Sequence, residues 1–330
     1  MKALVYTGPN QVRYRDEPDP RPADGEVLIR IEAAGICGSD MHAYHGHDPR
    51  RVPPMILGHE LAGRILSGPG AGRRVTVNPL ITCGHCDYCV TGRNNLCENR
   101  GMVGMTRAGA FAELMTIPAA SVIDVPQDMA PRQVALTEPA ATALHAMNLA
   151  GRALARPLPE ARVLVIGGGA VGLLTALLLR SYGCHGIVLA ETNPLRRRSV
   201  EQTEAARAFD PQQQQPMAGH FDLVVDAVGG KTTRASALAS VRPGGVILHI
   251  GLMDWSSEID MRRLTLAEIT LIGTYTYSTA DMRATVRALH EGAFGDLGWV
   301  ETRSLADGAA AFMDLDQGRS GAAKIVLQPH

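Results

Sequence analysis

The chain lacks an excess of either charge: Lys and Arg total 32 against 33 Asp and Glu, a formal net charge of −1. So even a balance argues against a nucleic-acid or anionic-membrane partner, since both select for clustered positive charge. No apolar run approaches the roughly 20 residues that a spanning helix needs. The start shows no leader either. After Met1-Lys2 the apolar run ends at Thr7-Gly8-Pro9, too short for the core of a secretory signal, so a cytoplasmic location is expected. There is no internal repeat. The one low-complexity stretch, Gln212 to Gln215 between Pro211 and Pro216, reads as a polar surface loop. At 330 residues the chain exceeds what one ordinary core supports, so two domains are expected.

What the sequence does have is a tight run of four cysteines, Cys83, Cys86, Cys89 and Cys97. Thiolates so spaced in one loop can meet at the corners of a tetrahedron, which zinc accepts from four sulfurs. Such a closed site leaves no position for substrate and is structural. Disulfides are the competing reading, and a reducing compartment disfavours them. Arg93 and Arg100 are candidates to offset the charge of the thiolates, although both could simply solvate the loop.

The first half reads as short strands bounded by Gly, Pro and Asp: MKALVY, EVLIRIEAAG, ELAGRIL and RRVTVNP. From about Ala143 strands and helices alternate, which implies a parallel sheet with crossover helices. The strand ARVLVI runs into Gly167-Gly168-Gly169-Ala170-Val171-Gly172, a G-x-G-x-x-G pattern followed by a helix-length apolar segment. Gly167 permits a tight turn, Gly169 lets backbone approach a pyrophosphate, and Gly172 allows close helix–strand packing. Glu191, about 20 residues on, is placed to accept from a ribose diol and favours NAD over NADP. Arg196, Arg197 and Arg198 pull the other way, because a guanidinium can hold a 2′-phosphate. TTRASALASVRP reads as a helix between two later strands. The tail could complete either domain.

Three upstream motifs carry candidate metal chemistry: Cys37-Gly38-Ser39-Asp40-Met41-His42, Gly58-His59-Glu60, and Thr137-Glu138-Pro139. Each has a plain alternative. Cys37 could be a small buried apolar residue, His59 a satisfied core histidine, and Glu138 an acid at a helix start.

The ordered set CGSDMH, GHELAG, the cysteine lobe, EPAATALHA and GGGAVG resembles the zinc-containing medium-chain dehydrogenase/reductase family, nearest its sorbitol/polyol dehydrogenase branch. The likeness runs nearly end to end. It implies an α/β protein: a β-rich GroES-like catalytic domain (residues 1–145, with 277–330 returning to it) and a Rossmann-like doubly wound parallel sheet (146–276). It further implies an NAD-linked oxidoreductase of an alcohol or polyol, with one catalytic and one structural zinc. On this resemblance Cys37, His59, Glu60 and Glu138 are ligand candidates for the catalytic ion, and Cys83, Cys86, Cys89 and Cys97 hold the structural one. Asp40 would orient His59, and Ser39 and His42 would relay the proton. Gly167, Gly169, Val171, Gly172, Glu191, Arg196, Ile250, Gly251 and Tyr275 match cofactor-contacting positions. The resemblance also implies a homo-oligomer, a tetramer or dimer, paired through its Rossmann sheets.

Charge counting adds a constraint. Zinc with a Cys37 thiolate, neutral His59 and one glutamate is neutral, and a second glutamate would oppose ionisation of an alcohol. Only one of Glu60 and Glu138 is therefore expected to bind directly. The sequence departs from the branch at Thr276, where polyol dehydrogenases commonly carry an arginine before the tyrosine. That leaves sorbitol in doubt and admits a less polar alcohol, an aminocyclitol or another sugar derivative. Two alternatives stay open: an NADPH-linked aldehyde or ketone reductase, and a non-catalytic zinc-stabilised scaffold that binds dinucleotide.

Overall fold

The computed structural model describes residues 1–329. Its second half is built on six parallel strands: Val163–Ile166, Ile187–Ala190, Arg207–Phe209, Phe221–Asp226, Val241–His249 and Thr270–Gly273. Numbered along the chain within this sheet, they lie in the order 3-2-1-4-5-6, which places a ligand crevice beyond the carboxyl ends of the strands where the order reverses. Val163–Ile166 and Phe221–Asp226 are buried at every residue, as strands with both faces covered must be. Between the last two inner strands the expected helix stops early. It spans Lys231–Ser240, and Val241 already pairs with Phe221 in the sheet. Pro243 accounts for this, since its ring disfavours helical backbone at Arg242 and ends the helix before it.

The first half forms largely antiparallel sheets, with one parallel pair, Val300–Ser304 and Lys324–Gln328, added by the tail. The largest has seven strands, among them Glu26–Gly35, Glu60–Ser67 and Arg74–Val77. In Glu26–Gly35 the residues Val27, Ile29 and Ile31 are buried while Arg30 is exposed, the two-residue alternation of a sheet with one covered face. The tail joins this sheet: Lys324–Gln328 pairs with Glu26–Gly35, Val326 opposite Gly35 and Leu327 opposite Ala34. Gln212 to Gln215 are exposed in a turn, as read from the sequence. Among the described residues no helix is long and apolar enough to cross a membrane.

The long helix Thr137–Ala153 lies between the two halves and packs against both Ala170–Ser181 and Thr279–His290. Asp281 ties the last of these to it. Its carboxylate accepts from His145 Nδ1 (2.8 Å), Asn148 Nδ2 (2.9 Å), and the N–H and hydroxyl of Ser278 (2.9 and 2.7 Å). Burial opposes its ionised form, but the bonds from His145 and Ser278 outweigh that and pull it down to about 2. A carboxyl lowered in the folded state stabilises above its unfolded pKa, near 4, and loses that contribution as pH falls towards 2. Asp281→Ala should therefore cost roughly 1–2 kcal/mol at pH 7 and progressively less below pH 4, read from urea midpoints across pH.

Candidate active site

The four-cysteine loop closes on itself. Cys83 Sγ lies 3.6 Å from Cys97 Sγ and 3.9 Å from Cys89 Sγ, and one sulfur from each of the four lies within 4.8 Å of the others. A tetrahedron with metal–sulfur bonds of about 2.3 Å has edges of about 3.8 Å, so these sulfurs fit zinc. A disulfide would bring its pair to about 2.05 Å. Backbone N–H groups of Cys86 and Cys83 point at Cys83 Sγ and Cys97 Sγ, each at 3.4 Å. The backbone N–H groups of His85 and Cys86 pull the Cys83 thiol down to about 6. The two arginines considered for this role do other work. Arg93 lies over the Tyr88 ring; Arg100 bonds the Cys97 carbonyl and stacks on Tyr275.

The lobe is also fastened to the returning chain. Asn94 and Asn78 both donate to Thr279 Oγ1, and Asn95 donates to the Tyr275 carbonyl. Tyr275, matched by resemblance to a cofactor position, thus has its ring under Arg100 and its carbonyl on the lobe.

The second donor group is assembled from distant segments. Cys37 caps the helix Gly38–Tyr44 with extended backbone, and Asp40 in its first turn accepts the Cys37 N–H at 3.0 Å. That capping fixes the direction in which Cys37 leaves the helix start. Ser39 and His42 lie on the same helix. His59 and Glu60 stand at the start of Glu60–Ser67, opposite Gly35. A Cβ on residue 35 would lie 2.1 Å from Glu60 Oε2, so only glycine leaves room for this carboxylate.

One donor atom each from Cys37, His59 and Glu60 falls within 4.8 Å of the others. Sulfur, imidazole and carboxylate form a donor set that zinc accepts with a position left open. Two buried polar atoms beside it lack partners: Asp40 Oδ1 and His59 Nδ1, 3.6 Å apart. Burial works against a charged His59, but Asp40 and then Cys37 raise it well above the ordinary histidine value. The residues therefore fit a divalent cation, which can take the place of that proton as counter-charge.

Glu138 lies outside this cluster of donor atoms. Its carboxylate accepts a 2.5 Å bond from the Tyr277 hydroxyl, and burial, then Glu60, pushes it up to about 7 against the pull of His59. Glu60 instead faces Lys324, whose ammonium lies 2.7 and 2.6 Å from its two oxygens and 2.7 Å from the Ile36 carbonyl.

At the crevice of the parallel sheet, Gly167 has φ +103° and a Cβ there would meet Val228; a Cβ on Gly172 would lie 1.9 Å from the Gly167 carbonyl. The space over Gly169 is open, and the helix Ala170–Ser181 starts there with unpaired N–H groups. Val171 sits in its first turn. Ile250 and Gly251 follow the strand Val241–His249, both N–H groups on the Asp226 carbonyl.

Glu191 ends its strand with both oxygens engaged. Oε2 accepts from the Gly168 N–H at 2.8 Å; Oε1 accepts from the Asn193 N–H at 2.7 Å and from Arg196 at 3.1 Å. Arg197 is committed to the Glu191 and Thr192 carbonyls and to Asp210. Arg196 alone of the two keeps a buried donor, Nε, without a partner.

Three residues of the site escaped the sequence reading. Lys324 left a faint trace, a lysine inside the apolar strand KIVLQ. Tyr277 was noted only for its neighbour Thr276. Arg51, which donates to Ser39 Oγ and to the Gly104 carbonyl, left no trace, because nothing in RRVPP marks a buried guanidinium.

Comparison with known proteins bears on the family and the fold. Residues 23–127 match the alcohol dehydrogenase GroES-like domain family and residues 170–291 the zinc-binding dehydrogenase family. The chain is 31% identical to L-galactonate-5-dehydrogenase of Escherichia coli K12, over 88% of each. It is similar in fold to a dehydrogenase of the zinc-binding type from Sinorhizobium meliloti 1021 bound to NADP, with a TM-score of 0.89, 28% identity and 99% of each chain covered. It is similar also to acetophenone reductase from Geotrichum candidum in complex with NAD, with a TM-score of 0.88 and 26% identity, covering 99% of this chain and 96% of that one.

Proposed function

The chain belongs to the zinc-binding dehydrogenase family, with an alcohol dehydrogenase GroES-like domain ahead of its dinucleotide fold, and on that premise we propose that it transfers a hydride between NAD and a secondary, polyol or sugar-derived alcohol. The observation that carries this reading is the convergence of donor atoms from half-buried Cys37 and buried His59 and Glu60, with Lys324 behind Glu60. On this reading residues 1–145 and 277–330 form the catalytic domain and 146–276 the cofactor domain.

A zinc ion held by Cys37, His59 and Glu60 would act as a Lewis acid and make the substrate hydroxyl more acidic. NAD, when bound, takes the hydride. The chain's own groups do the rest. Asp40 faces His59 Nδ1 and sets the imidazole's orientation. Ser39 takes the proton of the substrate hydroxyl and His42 passes it to solvent. Burial, together with the nearby His47, His45 and Arg51, holds His42 below the ordinary histidine value, so it is neutral and able to accept. Tyr277 keeps Glu138 as a hydrogen-bond acceptor beside the pocket. The open backbone at Gly169 and the following helix start receive the pyrophosphate, and Glu191 takes the adenosine ribose.

NADP is the second reading of the cofactor, favoured by the free Nε of Arg196 and its pairing with Glu191, which neutralises the acid. A second copy of the chain is the expected partner. The edge strand Thr270–Gly273 exposes Leu271, and Leu252, Met253, Trp255, Met261 and Leu266 are exposed nearby in sequence, a surface suited to pairing across a two-fold. A dimer or tetramer in the cytoplasm is the proposed form.

A panel of L-galactonate, L-threonine, sorbitol, 2-butanol and 1-phenylethanol, each with NAD and NADP, tests the reading. We expect reduction of NAD with at least one alcohol and a lower kcat/KM with NADP. Replacing Arg196 by leucine should lower NADP turnover more than NAD turnover. Dinucleotide binding without turnover of any alcohol would favour the scaffold.

A further inference from the structure

Among the described residues, Arg51 is the one buried guanidinium that touches the proposed proton path. Its side chain is 1% exposed. Nη2 donates to Ser39 Oγ at 3.3 Å, Nη1 donates to the Ser39 carbonyl, and Nε donates to the Gly104 carbonyl at 3.0 Å. The planar fork thus holds the main chain and the side chain of one residue at once. Asp48 lies 3.5 Å away as counter-ion but is shared with Arg50, which takes both its oxygens at 2.8 and 3.0 Å.

We infer that Arg51 is a positioning residue for the reaction, fixing the Ser39 hydroxyl in the orientation that lets it receive the substrate's proton and hand on its own. A serine hydroxyl has one proton and two lone pairs. A guanidinium is always a donor, so one lone pair is taken and the hydroxyl proton is turned away from Arg51. What remains is one lone pair to accept and one proton to give, the two things a relay needs. Because the guanidinium is buried and its fork is anchored at Gly104, the rotor is set before substrate arrives, not during the reaction. A purely structural role, pinning the 104 loop to the helix Gly38–Tyr44, would use Nε and Nη1 alone. The contact of Nη2 with Oγ is what separates the two roles.

This inference rests on the proposed relay through Ser39, and the test separates the two failures. Zinc-loaded wild type, Ser39→Ala, Arg51→Met and the double variant are assayed with NAD and the alcohol of highest kcat/KM from the panel above. Ser39→Ala should lower kcat about 100-fold or more. Arg51→Met should lower kcat about 10- to 100-fold, raise the solvent isotope effect on kcat, and leave KM and NAD affinity within about threefold. In the Ser39→Ala background the same change should cost less than about twofold, because the hydroxyl it positions is gone. If Arg51→Met does not fold, Arg51→Lys carries the same cycle, keeping the charge beside Asp48 while losing the fork. Equal losses in both backgrounds, with no change in isotope effect, overturn the positioning role and leave Arg51 structural. Full activity in Ser39→Ala, or no turnover of any panel alcohol, overturns the relay reading instead.

Discussion

Cys37→Ser and His59→Ala should each abolish turnover while NAD still binds. The two residues sit 22 positions apart, one at a helix start and the other before a strand, and converge with Glu60 on one point. In the proposed reaction they hold an ion that would polarise the substrate oxygen, a contribution of several kcal/mol. At about 1.4 kcal/mol per decade, losing it removes at least about 10³ from kcat/KM. On the proposed reading NAD is held elsewhere, by the turn at Gly167, the helix start beyond Gly169 and Glu191, none of which belongs to the donor cluster. Its dissociation constant, from fluorescence titration, should therefore move less than about threefold. A loss of NAD affinity as large as the loss of turnover would mean that these residues support the fold of the crevice rather than the chemistry.

Lys324→Met should destabilise the metal-free protein by about 3–5 kcal/mol, and zinc should restore much of the loss. The ammonium is 3% exposed and bonds both oxygens of Glu60, itself fully buried. Removing the lysine takes away the only cation bonded to the Glu60 carboxylate and leaves His59 to serve both it and Cys37, and breaking a buried pair costs that much. Burial disfavours a charged lysine, yet Glu60 and then Cys37 keep its pKa above the ordinary value. The ammonium therefore keeps its charge at neutral pH. A bound divalent ion can supply the positive charge that Lys324 no longer does, so the deficit should shrink when denaturation is repeated with zinc. A loss below about 1 kcal/mol without metal, or no difference with it, would show that Glu60 is neutral or finds another partner.

Local chemistry was legible in the sequence and long-range chemistry was not. The four cysteines lie within one loop, so spacing alone implied their shared geometry. The glycine fingerprint is likewise contiguous: Gly167 has the positive φ and Gly172 the close approach that its position implied. Cys37, His59 and Glu138 gave no such signal singly, and only the order of motifs set them together. Charge counting admitted one glutamate, and the fold groups Glu60 with Cys37 and His59 while giving Glu138 to Tyr277.

Tyr277 and Lys324 were out of reach because their partners lie 139 and 264 residues away. Neither spacing nor periodicity reports a buried polar contact across such a separation. The helix expected to run through TTRASALASVRP failed at its end for a local reason, the proline, that could have been weighed.

The most direct test of the central claim is the zinc content of purified protein set against its turnover. The account predicts two zinc ions per active chain, one for each donor cluster. It also predicts one ion in Cys37→Ser, inactive but with its cysteine lobe intact. Full activity in wild-type protein with a single zinc, or two ions retained in the Cys37 variant, would contradict it.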